Sequence, residues 1–344
     1  MAGQLDLFGT PGGVAAAPLD AGLTALAAAL PAGLHLGLSS WAFPGWAGSV
    51  YAPLVGSASY REDKLAREGL AAYAQHPLLR GVGLDRTFYN PMSASALRAY
   101  REVTPLDFRF LVKAHDHLTL ARFPEHPRYG ARQGERNDRF LDPGYAIDAV
   151  VGPAVEGLGD RLGALLFQLP PQPLGEDLSP HGFAERLERF LTALPRGPRY
   201  AVELRNGQLL TAGYGAALRS AGAVHGFNAW SQMLEPDDQT FFVDPAAGPA
   251  LVLRWLLPRG MAYAEGKVRF APFDRIQRPD PERRQAIARM VIAALQRGQE
   301  VFLTINNKAE GSAPESVRLL ALAIRAGLRP RQSDPLFPEG EREG

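Results

Sequence analysis

The feature that most constrains the fold is an alternation of short apolar runs, rich in Val, Leu and Phe, with longer amphipathic segments. Strands are predicted at Leu34–Trp41, Gly81–Phe88, Phe108–Lys113, Gly163–Leu169, Tyr200–Leu204, Ala223–Asn228, Ala250–Trp255 and Glu300–Ile305. Helices are predicted at Arg61–Gln75, Ala94–Val103, Tyr145–Leu158, Gly182–Leu194, Leu209–Ala221, Pro281–Arg297 and Pro314–Ala326, with no clear helix after the sixth strand. Apolar strands that alternate with helices form parallel sheets covered by helices, and eight such units predict a closed (β/α)₈ TIM-like barrel.

The two ends of the chain differ from this repeat. Residues 1–32 contain Gly9-Thr10-Pro11-Gly12-Gly13 followed by alanines, which predicts a flexible N-terminal tail. The barrel is expected over residues 33–330, and a second tail over residues 331–344. Since no G-x-G-x-x-G motif follows the first strand, a dinucleotide-binding fold loses its main support.

Composition narrows the class of protein further. The chain has no cysteine, which excludes disulfides, thiolate catalysis and cysteine-ligated zinc. The N-terminus lacks a positively charged start and carries Asp6, unlike a secretory signal. The apolar stretch Leu23–Leu38 is broken by Pro31 and Gly33 and is too short to span a bilayer. We therefore expect a cytoplasmic monomer without membrane association.

Reactive groups of a parallel barrel lie where its strands end, and here those positions carry polar and aromatic side chains. The candidate catalytic residues are Glu203, Lys113 and Asp85. The candidate substrate-binding residues are Trp41, Tyr89, Gln168, Arg205, Asn228, Arg254, Asn306 and Asn307. Lysine at a strand end is informative in this arginine-rich chain, because its pKa is tunable where that of arginine is not.

Two charged groups of the rim allow more than one interpretation. Glu203 and Arg205 lie on the same side of a strand, so the arginine is expected to lower the pKa of the glutamate. This pair either binds a polar substrate or closes the barrel mouth as a buried ion pair. Lys113 either anchors a phosphate or carboxylate, acts as an amine nucleophile, or pairs with Glu203 or Asp85.

The uncharged rim residues are equally open to two interpretations. Asn306 and Asn307 either orient substrate oxygens or close the strand end by local hydrogen bonds. Four aromatic residues are candidates for a surface that stacks on a sugar or a base: Trp41, Phe43, Trp46 and Tyr89. The alternative is that these rings pack beneath loops.

A metal cofactor is not expected from the sequence. His115-Asp116-His117 forms an H-x-H element, but the later strand ends lack the further histidine and carboxylate ligands of binuclear or endonuclease IV-like zinc sites. Magnesium bound transiently with a phosphate substrate through Asp85 or Glu203 stays open. The long irregular segment Asp116–Asp142 carries five arginines, and it either grips phosphate or is a solvated insertion.

Several segments together resemble the "domain of unknown function 72" family, over about Leu34 to Ala326. They are Ser40-Trp41-Ala42-Phe43-Pro44-Gly45-Trp46, Thr87-Phe88-Tyr89, Phe110-Leu111-Val112-Lys113-Ala114, Leu165-Leu166-Phe167-Gln168-Leu169-Pro170-Pro171, Ala201-Val202-Glu203-Leu204-Arg205 and Asn306-Asn307 with Gly311. The resemblance implies a TIM-like barrel, similar in shape to xylose-isomerase-like and endonuclease IV-like barrels. It implies no established activity.

The chain departs from the usual pattern of that family. The glutamate of the usual Glu-x-Asn-Ser-Thr-Phe-Tyr is missing, and Asp85 replaces the asparagine. Leu120 stands where the family tends to have histidine. Arg254-Trp255-Leu256-Leu257 replaces Arg-x-His-Gly, and no tryptophan follows the Glu-x-Arg element. We therefore expect a substrate that differs from that of typical relatives.

The N-terminal pentapeptide Gln4, Leu5, Asp6, Leu7, Phe8 resembles the motif by which bacterial DNA-processing proteins dock on the sliding clamp. In such a motif the glutamine fixes the register by hydrogen bonds, while leucine and phenylalanine fill an apolar groove. The alternative is a tail whose hydrophobic residues pack against the barrel.

Three functions are consistent with the sequence. The first is a rim that binds or acts on nucleic acid or a phosphate-containing substrate, as a phosphoester hydrolase recruited to the clamp would. The second is a metal-independent sugar or sugar-phosphate isomerase or lyase that uses Lys113 and Glu203 for proton transfer. The third is a non-catalytic nucleic-acid-binding module whose loop arginines contact the backbone. None of them requires a cofactor.

Overall fold

The computed structural model describes residues 13–56, 59–175 and 178–328 of the chain. The clamp-like peptide at residues 4–8 and the C-terminal tail at 331–344 lie outside these ranges. No helix within them is both long and apolar enough to cross a membrane.

Eight parallel strands close into one barrel in chain order, with β8 paired to β1. The strands are β1 Leu34–Leu38, β2 Gly81–Leu84, β3 Arg109–Lys113, β4 Leu162–Leu169, β5 Tyr200–Leu204, β6 Val224–Ala229, β7 Ala250–Trp255 and β8 Glu300–Ile305. The α-helices are α1 Ala21–Ala28, α2 Glu62–Glu68, α3 Leu70–Tyr73, α4 Ala94–Glu102, α5 Pro143–Ala146, α6 Gly152–Leu158, α7 Pro180–Ala193, α8 Ala212–Ala221, α9 Tyr263–Arg269, α10 Pro281–Gln296 and α11 Ala313–Leu328. The predicted (β/α)₈ barrel is confirmed.

The connections follow the prediction with local differences. The described chain between β6 and β7 contains only a 3₁₀ turn at Asp238–Phe241, as expected from the missing helical pattern. The predicted helix over Tyr145–Leu158 is interrupted by a π-helical turn at Ile147–Val151. Strand β2 is shorter than predicted because the chain turns into a 3₁₀ helix at Asp85–Phe88, which brings these side chains to the rim.

The expected flexible tail over residues 1–32 is wrong for its second half. Helix α1 lies within it and is capped by Asp20, whose carboxylate accepts a hydrogen bond from the N–H of Leu23 at 2.8 Å. Leu26 and Leu30 are buried in the main core. The guanidinium of Arg80 donates to carbonyl oxygens of this segment at 2.8 and 3.2 Å. Residues 21–30 therefore belong to the packed body.

The barrel has two apolar layers on opposite faces of its strands. The larger core lies between the strands and the helices. A smaller cluster takes alternating positions of β3 to β8 and fills the barrel: Leu111, Ala164, Leu166, Ala201, Val224, Ala250, Val252 and Phe302. Because strand side chains alternate between faces, residues two positions beyond this cluster point inward at the C-terminal end. These inward-pointing residues are the ones that come together at the C-terminal end of the barrel.

Candidate functional site

A polar layer lies directly above the apolar filling of the barrel. Its members each follow an inward apolar residue by two positions: Lys113 after Leu111, Gln168 after Leu166, Glu203 after Ala201 and Arg254 after Val252. Strand pairing places Gln168 opposite Glu203. Because every second side chain of a strand points into the barrel, these residues from four strand ends form one cluster.

Glu203 is the centre of this cluster and is fully buried. Its Oε1 accepts a hydrogen bond from Nε of Arg205 at 2.5 Å, and its Oε2 accepts one from Nη1 of Arg254 at 3.3 Å. Burial alone raises the pKa of a carboxyl group, but the two guanidinium groups outweigh it, and the pKa of Glu203 is lowered. The carboxylate is held ionised and both its oxygens are engaged.

Gly226 provides the space for this buried carboxylate. A Cβ atom at Gly226 would lie 3.1 Å from Cβ of Glu203 and 3.1 Å from Cδ1 of Leu166. Any larger side chain would therefore press against the stem of Glu203 from the neighbouring strand.

Arg254 joins Glu203 to the second carboxylate of the rim. Its Nη2 donates to both carboxylate oxygens of Asp85, at 3.0 and 2.9 Å. Asp85 keeps about a third of its side chain exposed. Burial raises the pKa of this carboxyl group, but the charges of Arg254, Lys113 and Arg205 together outweigh burial, and the net shift is downward. Asp85 is thus ionised and reachable from the cavity.

Two lysine amines face the same space without a carboxylate partner. In the described chain, neither Lys113 nor Lys308 lies within ion-pair distance of an acidic group. Nζ of Lys113 lies 3.6 Å from the centre of the Phe88 ring, and Nζ of Lys308 lies 4.2 Å from that of Tyr263. Burial lowers the pKa of each lysine to about 8. Both amines therefore keep their charge at neutral pH but stand close to deprotonation.

These groups line a cavity of about 320 Å³ at the C-terminal mouth of the barrel. Its polar lining comprises Asp85, Lys113, Gln168, Arg205, Arg254, Asn306 and Lys308. Its apolar and aromatic lining comprises Phe88, Tyr89, Pro170, Pro171, Trp230, Leu256, Leu257 and Tyr263. Four cations and two carboxylates, Asp85 and the underlying Glu203, give the site a net positive charge.

Most of the rim residues singled out from the sequence converge here. Seven of them line the cavity: Asp85, Tyr89, Lys113, Gln168, Arg205, Arg254 and Asn306. Glu203 lies beneath it, enclosed by its arginines, so the expected general base has no open path to a ligand. Its two carboxylate oxygens contact Arg205 and Arg254, an arrangement suited to a positioning residue, and the catalytic role predicted for Glu203 stays a prediction.

Three of the predicted substrate-binding residues do not line this cavity. Trp41 is buried in the main core, and its indole N–H donates to the carbonyl oxygen of Leu65 at 3.1 Å. Asn228 is fully buried, with Nδ2 donating to the carbonyl oxygens of Leu204 and Gly226. These side chains fasten the barrel and do not line the cavity.

Asn307 is the third predicted residue that does not line the cavity. Its Oδ1 accepts hydrogen bonds from Nε1 of Trp46 and from the backbone N–H of Ala313, both at 3.0 Å. This amide fixes the loop after β1 to the start of α11. Asn306 lines the cavity, and its Oδ1 also makes a local hydrogen bond by accepting from the backbone N–H of Lys308 at 3.0 Å.

Several residues of the lining are not among the predicted site residues, although Trp230 and Lys308 follow predicted strand ends. Lys308 follows Asn306-Asn307 and is one of only four lysines in the chain, a signal that was available. Trp230 directly follows β6, and its ring lies 4.2 Å from the guanidinium carbon of Arg205. Tyr263 lies on α9 in the connection after β7. No local pattern marks a helix residue in such a long connection as part of the rim.

The two ends of the segment Asp116–Asp142 are buried, residues 124–136 are largely exposed, and several of its arginines contact protein groups. Arg128 binds the Asp116 carboxylate and stacks 4.7 Å from the centre of the Tyr89 ring. Arg132 and Arg139 lie over aromatic rings of the same region at 4.0 and 4.4 Å. The segment thereby forms the outer support of Tyr89 at the cavity.

The comparisons with known proteins agree with this architecture. A crystal structure of a DUF72 family protein from Enterococcus faecalis V583 superposes with a TM-score of 0.55 at 16% identity, over 85% of this chain and 95% of that chain. One from Thermotoga maritima MSB8 superposes with a TM-score of 0.53 at 18% identity, over 86% and 98%. At such identities the likeness concerns the fold alone. No curated protein sequence matches the chain significantly.

A comparison of the whole chain with sequence models of protein families tests the resemblance that the motifs suggest. The sequence model described as "Protein of unknown function DUF72" matches residues 35–339, which is nearly the entire barrel. The match spans the strand ends that supply the polar layer. The chain belongs to the DUF72 family.

Proposed function

We propose that the rim cavity binds a small ligand with a phosphate group and acts on it as a phosphoester hydrolase. The observation that carries this proposal is the pair of ammonium groups, Lys113 and Lys308, that face one cavity without a carboxylate partner. A phosphate bound within reach of either amine would form a charge-assisted hydrogen bond with it. Arg254 and Arg205 add positive potential behind them.

The shape and walls of the cavity narrow the class of ligand. A volume of about 320 Å³ suits a mononucleotide or a sugar phosphate and excludes a nucleic-acid duplex. Tyr89, Trp230 and Tyr263 present aromatic faces on which a base or a sugar ring can stack. A nucleic acid would therefore have to offer a single unpaired nucleotide or a strand end.

The charged groups supply plausible chemistry for phosphoester cleavage. Asp85 is the carboxylate on the cavity lining, so it can orient or deprotonate a water molecule. Arg254 contacts Asp85 directly and Lys113 lines the same cavity, so both would stabilise the charge that develops on the phosphoryl oxygens. Glu203 contributes indirectly because it keeps the guanidinium of Arg254 fixed.

A second candidate is a metal-independent sugar or sugar-phosphate isomerase or lyase. It is favoured by the lowered pKa of Lys113, about 8, on the ring of Phe88. An amine of this kind is suited to proton transfer or to attack on a carbonyl group. Trapping with borohydride in the presence of a sugar phosphate separates the two, since only the lyase-type reaction through an imine leaves a covalent adduct on Lys113.

Recruitment to a bacterial sliding clamp through residues 4–8 stays part of the proposal. This peptide lies outside the described residues, so its motif is its only support. Deletion of residues 1–10 should abolish binding to a purified clamp and leave thermal unfolding unchanged. Equal affinity of the full and shortened chains would remove this part of the proposal and leave the cavity unaffected.

A non-catalytic nucleic-acid-binding module is less well supported. It would need the arginines of Asp116–Asp142 for backbone contacts, whereas Arg128 is committed to Asp116 and aromatic rings. A steep fall of DNA affinity with salt would favour this module. Weak binding without a salt slope would disfavour it.

The direct test of the cavity is calorimetric titration with adenosine monophosphate and with adenosine as the matched control. The monophosphate should bind, and Lys308→Met should weaken it by about tenfold to a hundredfold, the loss of one charge-assisted hydrogen bond. Lys64→Met, on α2 away from the cavity lining, is the control variant and should bind normally. Equal affinity for adenosine and its monophosphate would refute the phosphate site.

A further inference from the structure

The loop that follows β3 holds a cluster of three side chains which the proposed function does not use. His115, Asp116 and His117 each turn one ligand atom toward the others, and these atoms all lie within 4.8 Å of one another. Oδ1 of Asp116 is 3.5 Å from Nε2 of His115 and 4.0 Å from Nε2 of His117. One carboxylate oxygen thus lies near both imidazole nitrogens.

These distances are too long for good hydrogen bonds, whose N···O separation is about 2.7–3.2 Å. They are close to what a shared cation needs. Ligand atoms bound to zinc at about 2.0–2.2 Å and at tetrahedral angles lie roughly 3.3–3.6 Å apart. The contact to His115 already has this separation, and a small rotation of the His117 ring brings the other to it.

Two of the remaining polar atoms, on His115 and Asp116, are held by partners outside the cluster, whereas Nδ1 of His117 is buried without a hydrogen-bond partner. Nδ1 of His115 lies 2.7 Å from the Tyr145 hydroxyl, which fixes the orientation of the ring. Oδ2 of Asp116 accepts a hydrogen bond from the Tyr129 hydroxyl at 2.7 Å and a further one from Arg128. Metal-binding histidines and carboxylates are supported by partners of this kind on their non-ligating atoms. Oδ1 and the two Nε2 atoms are left facing one another.

One side of the cluster is buried in the protein, and the other side is partly exposed to solvent. Asp116 and His115 are buried, while His117 keeps 18% of its side chain exposed. The open side lets an ion enter and leaves room for water or another ligand at a fourth position, as in zinc sites with three protein ligands.

We propose that His115, Asp116 and His117 form a binding site for a divalent transition-metal ion, with Zn²⁺ the best match. Two imidazoles and one carboxylate suit zinc and its neighbours, whereas magnesium and calcium favour all-oxygen ligand sets. The sequence predicts no metal site, because the later strand ends offer no further ligands for the H-x-H element. The structure supplies the third ligand from Asp116, the residue between the two histidines.

The site also adjoins the cavity wall. Arg128 links the Asp116 carboxylate to the ring of Tyr89, which lines the cavity. An ion on Oδ1 of Asp116 would hold this carboxylate in the position that Arg128 requires. Metal binding would therefore fix the position of the Tyr89 ring through Arg128. This effect would not depend on whether the ligand of the cavity is a phosphate.

The test is titration of the full-length, metal-free protein with Zn²⁺ by calorimetry, and with Co²⁺ by visible absorption. We expect one ion per chain, and an affinity reduced at least tenfold in His117→Ala and about tenfold in Tyr145→Phe, which removes only the supporting hydroxyl. His181→Ala is the matched control, because His181 is exposed on α7 beside Glu185. This variant should bind as the wild type does.

Two outcomes would overturn the proposal. One is the absence of stoichiometric binding of either ion to the wild-type chain. The other is unchanged affinity in both His117→Ala and Tyr145→Phe. X-ray absorption at the zinc edge of the wild type needs no variant and guards against misfolding of His117→Ala. It should show two imidazoles and one carboxylate, and a spectrum without imidazole ligands would contradict the site.

Discussion

Replacing Glu203 by glutamine tests whether its buried carboxylate holds Arg205 and Arg254 in place. The change keeps the shape of the side chain but removes the charge that Arg205 and Arg254 share at the bottom of the cavity. Removal of one partner from a buried ion pair costs about 3–5 kcal/mol, because the remaining charges are left uncompensated. For a chain of this length, we expect the melting temperature to fall by about 4–7 °C.

The assay is urea unfolding of Glu203→Gln and the wild type at pH 7, followed by the same pair at lower pH. Because the pKa of Glu203 is lowered in the folded state, its charge stabilises the protein above its unfolded pKa of about 4.3. This contribution is lost as the pH falls through the folded-state pKa. The difference between the two proteins should therefore shrink in acid.

The matched control is Glu156→Gln, the same substitution at an exposed carboxylate that pairs with Arg98. Exposed pairs contribute about 0–1 kcal/mol, so this variant should unfold close to the wild type. If Glu203→Gln is as stable as Glu156→Gln at pH 7, the buried carboxylate does not anchor the two arginines. The positioning role given to it would then be refuted.

Three further predictions follow from the assignment of the rim residues. Affinity for adenosine monophosphate should fall as the pH rises through about 8, where Lys113 and Lys308 lose their charge, and a flat titration profile between pH 7 and 10 would contradict their role. Trp41→Phe should lower the unfolding free energy by about 1 kcal/mol through its lost hydrogen bond and leave calorimetric affinity unchanged, whereas weaker ligand binding would return Trp41 to the site. Asn307→Ala should cost about 2–4 kcal/mol in urea unfolding, since the indole N–H of Trp46 and a buried backbone N–H lose their acceptor; a neutral result would show that the loop after β1 is held by other contacts.

The barrel itself could be predicted from the sequence because its strands are bounded by clear changes in composition. The bounds of β5, β7 and β8 agree with the prediction residue for residue. The predicted bounds of β2 extended to Phe88, but the apolar run ends at Leu84 and the chain already follows a 3₁₀ path over Asp85–Phe88. Helix α1 was missed because its alanines and leucines lack a polar face that would reveal a helical period.

The site could be predicted only in part. Alternation along strands is enough to bring Lys113, Glu203 and Arg254 to the inside of the barrel, but it does not reveal how deep each lies. Asn306 and Asn307 are neighbours with the same side chain, yet only Asn306 lines the cavity. The side-chain oxygen of Asn307 accepts a hydrogen bond from Trp46, which lies 261 positions away along the chain. No local sequence pattern predicts such a contact.

The most direct measurement of the central claim is a crystal structure of the protein with adenosine monophosphate. We expect the phosphate within hydrogen-bond distance of Nζ of Lys113 or Lys308, and the base against the ring of Tyr89, Trp230 or Tyr263. A phosphate bound elsewhere on the chain, or a cavity left without nucleotide at saturating concentration, would contradict the proposed role of the rim.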